Sequence, residues 1–170
     1  MLLAKVSTTV EASIAAPREA FYKWLVPGVF ATQLETVLKD AASLPGVAKT
    51  TGTTGPWDVP GSTRIVHLTD GTTCRETVKE ATAPNSFAYQ LTEFSSPPVA
   101  GLVKQAGGEW RFTDEGGGTH AKWTYTAEAK HDLGIIVLTP IIKILWNHYM
   151  TAALEAIKAR AEAEVGKQPR

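Results

Sequence analysis

The chain is short of the features that most readily identify a protein. One of its 170 residues is a cysteine, Cys74. No intramolecular disulfide can form, and such usage fits a reduced, cytoplasmic location. Neither charge is in excess, since Lys+Arg and Asp+Glu both number 17. Nucleic-acid binders carry a basic excess clustered on one face, so no nucleic-acid partner is expected. The opening stretch MLLAKVSTTVEASIAAP lacks the long apolar core of a signal peptide and alternates like a strand. The most apolar run, Leu133 to Trp146, contains Pro140 and Lys143. It is shorter than the roughly 20 residues that span a bilayer, and no stable membrane insertion is expected.

Signatures of chemistry are missing as well. His67, His120, His131 and His148 show no metal-ligand spacing, so no metal is expected. There is no G-x-S-x-G nucleophile motif and no phosphate-binding glycine pattern, hence no cofactor. The glycines at 116–118 read as a hairpin loop, and Cys74 reads as a small buried hydrophobe.

What is present is one strand, two short helices, about six further strands and one long helix. Val6, Thr8, Val10, Ala12 and Ile14 alternate with polar residues, giving a strand over Lys5–Ala15. Pro17 suits the first turn of a helix that Pro27-Gly28 ends. A second short helix runs from Val29 to Leu38, with Phe30, Leu34 and Val37 or Leu38 inward. The expected strands are Val47–Thr54, Ser62–Leu68, Thr72–Glu80, Phe87–Phe94, Glu109–Asp114 and Thr119–Glu128, most of them separated by turn residues. Residues 95–108 read as a loop over an opening. The last helix is placed at Pro140 to about Glu164, capped by Thr139, with 166–170 as a frayed tail. The result is an α+β helix-grip architecture: a curved seven-stranded antiparallel sheet whose one face is covered by the long helix.

This order resembles the START-like (Bet v 1-like) superfamily, specifically its polyketide cyclase/dehydrase and lipid-transport group. The resemblance covers nearly the whole chain, as one domain over residues 1–165. It is carried by ASIAAPREAFYKWL, GPWDVPGSTRIVHLTDGTTCRETV, PNSFAYQL, EWRFTDEGGGTHAKWTYT and the closing helix. It implies a small hydrophobic partner held between sheet and helix.

The hairpin STRIVHLTDGTTCRETV places two charges among apolar residues. A two-residue turn at Asp70-Gly71 would mix polar and apolar side chains on each face. A three-residue loop with Gly71 as a bulge pairs Val66 with Cys74 and Arg64 with Glu76, and segregates the faces. Arg64 and Glu76 then oppose each other on the concave face. They form either a neutralised structural pair or the polar anchor of a cavity. Closing the glycine loop pairs Trp110 with Trp123, and Tyr125 continues that face; Phe87, Tyr89 and Leu91 point the same way. On the long helix the expected inner stripe is Ile141, Ile142, Leu145, Tyr149, Ala152, Ala153 and Ala156, with Trp146 at an entrance. The alanines either let helix and sheet approach closely or leave room for a ligand.

The expected ligand-binding residues are therefore Arg64, Glu76, Tyr89, Trp110, Trp123, Tyr125, Trp146 and Tyr149. A cyclase/dehydratase-like enzyme is the alternative. In it Glu76 moves a proton, Tyr89 or Tyr125 donates one, and Arg64 stabilises an enolate. An interaction module with a filled core is the second alternative. A homodimer is compatible with each.

Overall fold

The computed structural model describes residues 4–166. All but the first residue of the expected tail lies outside this range. Seven strands form one curved antiparallel sheet: β1 (Lys5–Ile14), β2 (Val47–Thr51), β3 (Thr63–Leu68), β4 (Thr73–Thr82), β5 (Ser86–Thr92), β6 (Val103–Glu115) and β7 (Gly118–Ala129). Their order is β1-β7-β6-β5-β4-β3-β2. Strands β2 to β7 thus meander, and β1 closes against the last of them. On β1 the side chains of Val6, Thr8, Val10 and Ile14 are buried, as a half-buried strand with period-two alternation requires.

The first helical segment starts where Pro17 fixes the backbone, with α1 at Arg18–Trp24. Pro27-Gly28 does not end it. Both residues lie in a π turn, Leu25–Val29, and the helix runs on through α2 (Phe30–Thr32) to a 3-10 turn at Leu34–Thr36. A wide turn relieves the clash that an internal proline makes with the preceding turn. Phe30, Leu34 and Val37 are buried, as expected.

The stretch expected to be a loop over 95–108 contains α3 (Pro97–Leu102) followed directly by the first six residues of β6. The glycine loop is also tighter than expected. Glu115 pairs with Gly118, leaving a two-residue turn at Gly116-Gly117 with φ of 57° and 80°, the pairing that suits a type I′ hairpin.

The last helix begins at Gly134, not at Pro140. It comprises α4 (Gly134–Pro140), a π turn (Ile141–Trp146) and α5 (Asn147–Glu164). Pro140 lies inside it, and the Thr139 hydroxyl donates to the Ile135 carbonyl at 2.6 Å instead of capping. A π turn accommodates one more residue than an α turn, so the buried stripe advances beyond it. Ile142, Tyr149 and Ala153 are buried as expected. Leu145 and Ala152 are exposed and Ile141 and Ala156 only half-buried, while Met150, Leu154, Ile157 and Ala161 supply the rest of the contact. By length and composition alone, Gly134–Glu164 is apolar enough to cross a membrane. Its α5 half, however, packs against β1.

Candidate functional site

The hairpin of β3 and β4 sets one end of the site. Gly71 adopts φ +87°, its N–H donates to the Leu68 carbonyl (3.0 Å), and the Leu68 N–H donates to the Thr72 carbonyl (2.8 Å). That bulged turn fixes the pairing of Val66 with Cys74 and of Arg64 with Glu76. Both charges therefore face the concave side, 1% and 6% exposed.

Arg64 is heavily committed. Its Nε donates to Glu76 Oε1 at 2.7 Å, and its Nη1 donates to the carbonyls of Phe30 (2.5 Å) and Ala31 (3.3 Å). Those carbonyls belong to α2, at the end of the first helical segment, where backbone acceptors lack helical partners. The Trp57 ring covers the guanidinium, with Cζ 3.8 Å from the ring centroid. Nη2 is buried without a hydrogen-bond partner. Burial pushes the Glu76 carboxyl above the usual glutamate range, and Arg64 pulls in the opposite direction without cancelling the shift.

Between the concave face and the helices lies a cavity of about 260 Å³. All eight expected ligand-binding residues line it: Arg64, Glu76, Tyr89, Trp110, Trp123, Tyr125, Trp146 and Tyr149. Trp110 and Trp123 stack with centroids 4.7 Å apart, and Trp146 lies 4.7 Å from Tyr125 and 4.9 Å from Tyr149. Aliphatic walls come from Leu34, Val66, Leu91 and Ile157. Val99 of α3, 37% exposed, also lines the cavity.

The tyrosine hydroxyls are the distinctive polar groups. Tyr89 Oη accepts from Trp123 Nε1 at 3.2 Å. Tyr125 and Tyr149 are only 5% and 4% exposed; among the described residues neither hydroxyl has a hydrogen-bond partner, and neither is sealed off from open space. Burial raises the pKa of all three, so they stay protonated donors at neutral pH. Cys74 lines the same wall, its thiol pushed up to about 12 by burial, which makes it a poor nucleophile. Among the described residues no cluster of His, Cys, Asp and Glu is arranged to hold a metal.

Trp57 was not among the expected residues. Its signal was a large aromatic in the otherwise turn-forming segment GPWDVPG. Phe30 and Leu34 were expected to face inward, and they too line the cavity.

A family model described as polyketide cyclase / dehydrase and lipid transport matches residues 5–162. The chain belongs to this family. No functionally curated protein matches the sequence. Among solved structures, a point mutant of Thalictrum norcoclaurine synthase, in complex with a transition-state analogue, superposes with a TM-score of 0.74 at 14% identity. The match covers 96% of this chain and 98% of that one. The protein Ara h 8.0201 gives 0.65 at 14% identity, over 94% and 99%. The di-domain ARO/CYC StfQ of the steffimycin biosynthetic pathway gives 0.70 at 17% identity. There 94% of this chain matches 51% of the other, about half of that protein. At these identities the likeness is one of fold.

Proposed function

We propose that this member of the family binds a small hydrophobic, ring-bearing molecule between the sheet and the closing helix. The single observation that carries the reading is the 260 Å³ cavity, walled by stacked aromatics. An engineered apolar cavity of about 150 Å³ takes up benzene, so this one has room for about two fused rings. A diacyl lipid is too large for it. An interaction module with a filled core would have no such space.

Binding in this reading needs neither metal nor nucleotide, and it takes place in a soluble, cytoplasmic protein. Native mass spectrometry after incubation with a library of small aromatic and acyl compounds tests it, with tryptophan quenching as the second readout. Retention of a two-ring compound in a one-to-one complex is expected. Failure of every compound to bind would overturn the reading.

One observation favours a second reading, catalysis by acid–base chemistry of the cyclase or dehydratase type. Glu76, a buried carboxyl with a raised pKa, shares the cavity wall with Tyr89. A carboxyl tuned toward neutrality is suited to proton transfer. Glu76→Gln should then abolish turnover of a poly-ketone substrate while the protein still binds it; unchanged turnover would remove Glu76 from the chemistry.

A further inference from the structure

We infer that the cavity selects an uncharged ligand, one offering an oxygen acceptor to the hydroxyls of Tyr125 and Tyr149, and rejects the corresponding carboxylate. This rests on the cavity reading above and specifies what that site recognises.

The argument begins with the cations. Among the described residues Arg64 is the single basic side chain on the cavity wall. Its Nε is taken by Glu76, its Nη1 by the Phe30 and Ala31 carbonyls, and its flat face by Trp57. The remaining nitrogen, Nη2, is sealed within the protein, so no open space touches it. An anionic ligand finds no free countercharge.

It meets acids instead. Glu76 lines the wall, and Asp70 lies at its edge, holding the N–H and hydroxyl of Thr72 at 2.9 and 2.6 Å. An ionised Glu76 repels a carboxylate, and a protonated Glu76 is one more donor without charge. Burying an uncompensated anion is costly in either case.

The unmatched groups ask for the opposite partner. Tyr125 and Tyr149 are buried on the wall with hydroxyls that have no protein acceptor. A buried hydroxyl ordinarily has a partner. The indole N–H groups of Trp57, Trp110 and Trp146 are unpaired too, but like Arg64 Nη2 they are sealed within the protein, so the two tyrosine hydroxyls are the donors that face the open space. A neutral carbonyl or ether oxygen on a flat apolar body answers this pattern.

Three probes with one ring system separate the possibilities: naphthalene, 2-acetylnaphthalene and 2-naphthoate, measured by calorimetry at neutral pH. The ketone should bind at least about tenfold more tightly than the carboxylate. Tyr125→Phe and Tyr149→Phe should each weaken the ketone about three- to tenfold, the value of one hydrogen bond, and leave naphthalene unchanged. The inference is overturned if 2-naphthoate binds as tightly as the ketone, because the guanidinium is then reachable. It is also overturned if both tyrosine variants keep the full ketone advantage. Binding of naphthalene without any preference sinks this inference alone. Absence of binding by all three sinks the cavity reading together with it.

Discussion

The two ends of the interior are built from the same kinds of side chain and finished differently. Near α1 the rings close on one another: Phe112 meets Phe21 and Tyr22 edge-on, each at 5.6 Å, and all three are buried. The Tyr22 hydroxyl donates to the Ser86 carbonyl at 3.1 Å. At the other end Trp146 stacks on Tyr149 and lies tilted against Tyr125, but the two tyrosine hydroxyls are left unpaired beside open space. Burial raises the pKa at both ends, to about 12 for Tyr22 and upward for Tyr149, so titration does not distinguish them. Hydrogen bonding does. The difference follows from what covers each end. The first helical segment lies against β6 and β7, whereas Trp146 belongs to a π-turned stretch whose Ile144 and Leu145 are exposed.

The pair at the far side of the cavity offers the largest test of this contrast. Removing one partner of a buried ion pair leaves the other uncompensated, at a cost of about 3–5 kcal/mol. Arg64→Ala additionally strips the Phe30 and Ala31 carbonyls of their donor. A loss of this size is expected in urea denaturation, and the double variant Arg64→Met, Glu76→Leu should recover much of it. A loss below about 1 kcal/mol would show that the pair does not hold the helix to the hairpin.

The packed and open ends should then respond unequally to truncation. Phe112→Ala opens a hole where nothing can collapse, costing about 3–5 kcal/mol. Leu91 borders the existing cavity and is only half-buried. Leu91→Ala should therefore cost less than about 2 kcal/mol, the lower end for a buried leucine. Equal costs would mean that the cavity is not open in solution.

A smaller effect concerns pH. Because the folded protein holds Glu76 above the ordinary glutamate value, it keeps a proton that the unfolded chain releases. This group's contribution is most favourable below the unfolded value and is lost as pH rises through the elevated folded one. Thermal melts of wild type and Glu76→Gln from about pH 4 to 8 should show a flatter profile for the variant. Parallel profiles would place Glu76 at an ordinary pKa.

How much of this was legible in the sequence depended on whether a residue's constraint was local. The Arg64–Glu76 and Trp110–Trp123 pairings follow from alternation and turn chemistry, and the structure has both. The early start of β6 was hidden by Gly107-Gly108, which weaken any strand signal. They are there for the partner strand: a Cβ on Gly108 would come within 2.4 Å of the Tyr89 ring, and one on Gly107 within 2.5 Å of its carbonyl. Pro140 and Thr139 imitate a helix start, and only the tertiary setting shows the π turn that lets the helix pass through. The commitments of Arg64 to Phe30, Ala31 and Trp57 lie between segments far apart in sequence, where no spacing rule reaches. Alternation and turn chemistry alone therefore leave Arg64 as either half of a structural pair or a polar anchor.

The finest test exchanges one oxygen at each end. In Tyr22→Phe the Ser86 carbonyl loses its donor at a fully packed site, and about 1 kcal/mol of stability should go with it. In Tyr149→Phe no protein hydrogen bond is lost, because the hydroxyl removed has no protein partner and borders the cavity. Stability should stay within about 0.5 kcal/mol of wild type or rise. Guanidinium unfolding of the two variants side by side reads the difference directly. A destabilisation of Tyr149→Phe matching that of Tyr22→Phe would mean that the hydroxyl already has a partner inside the protein, and the contrast between the two ends would close.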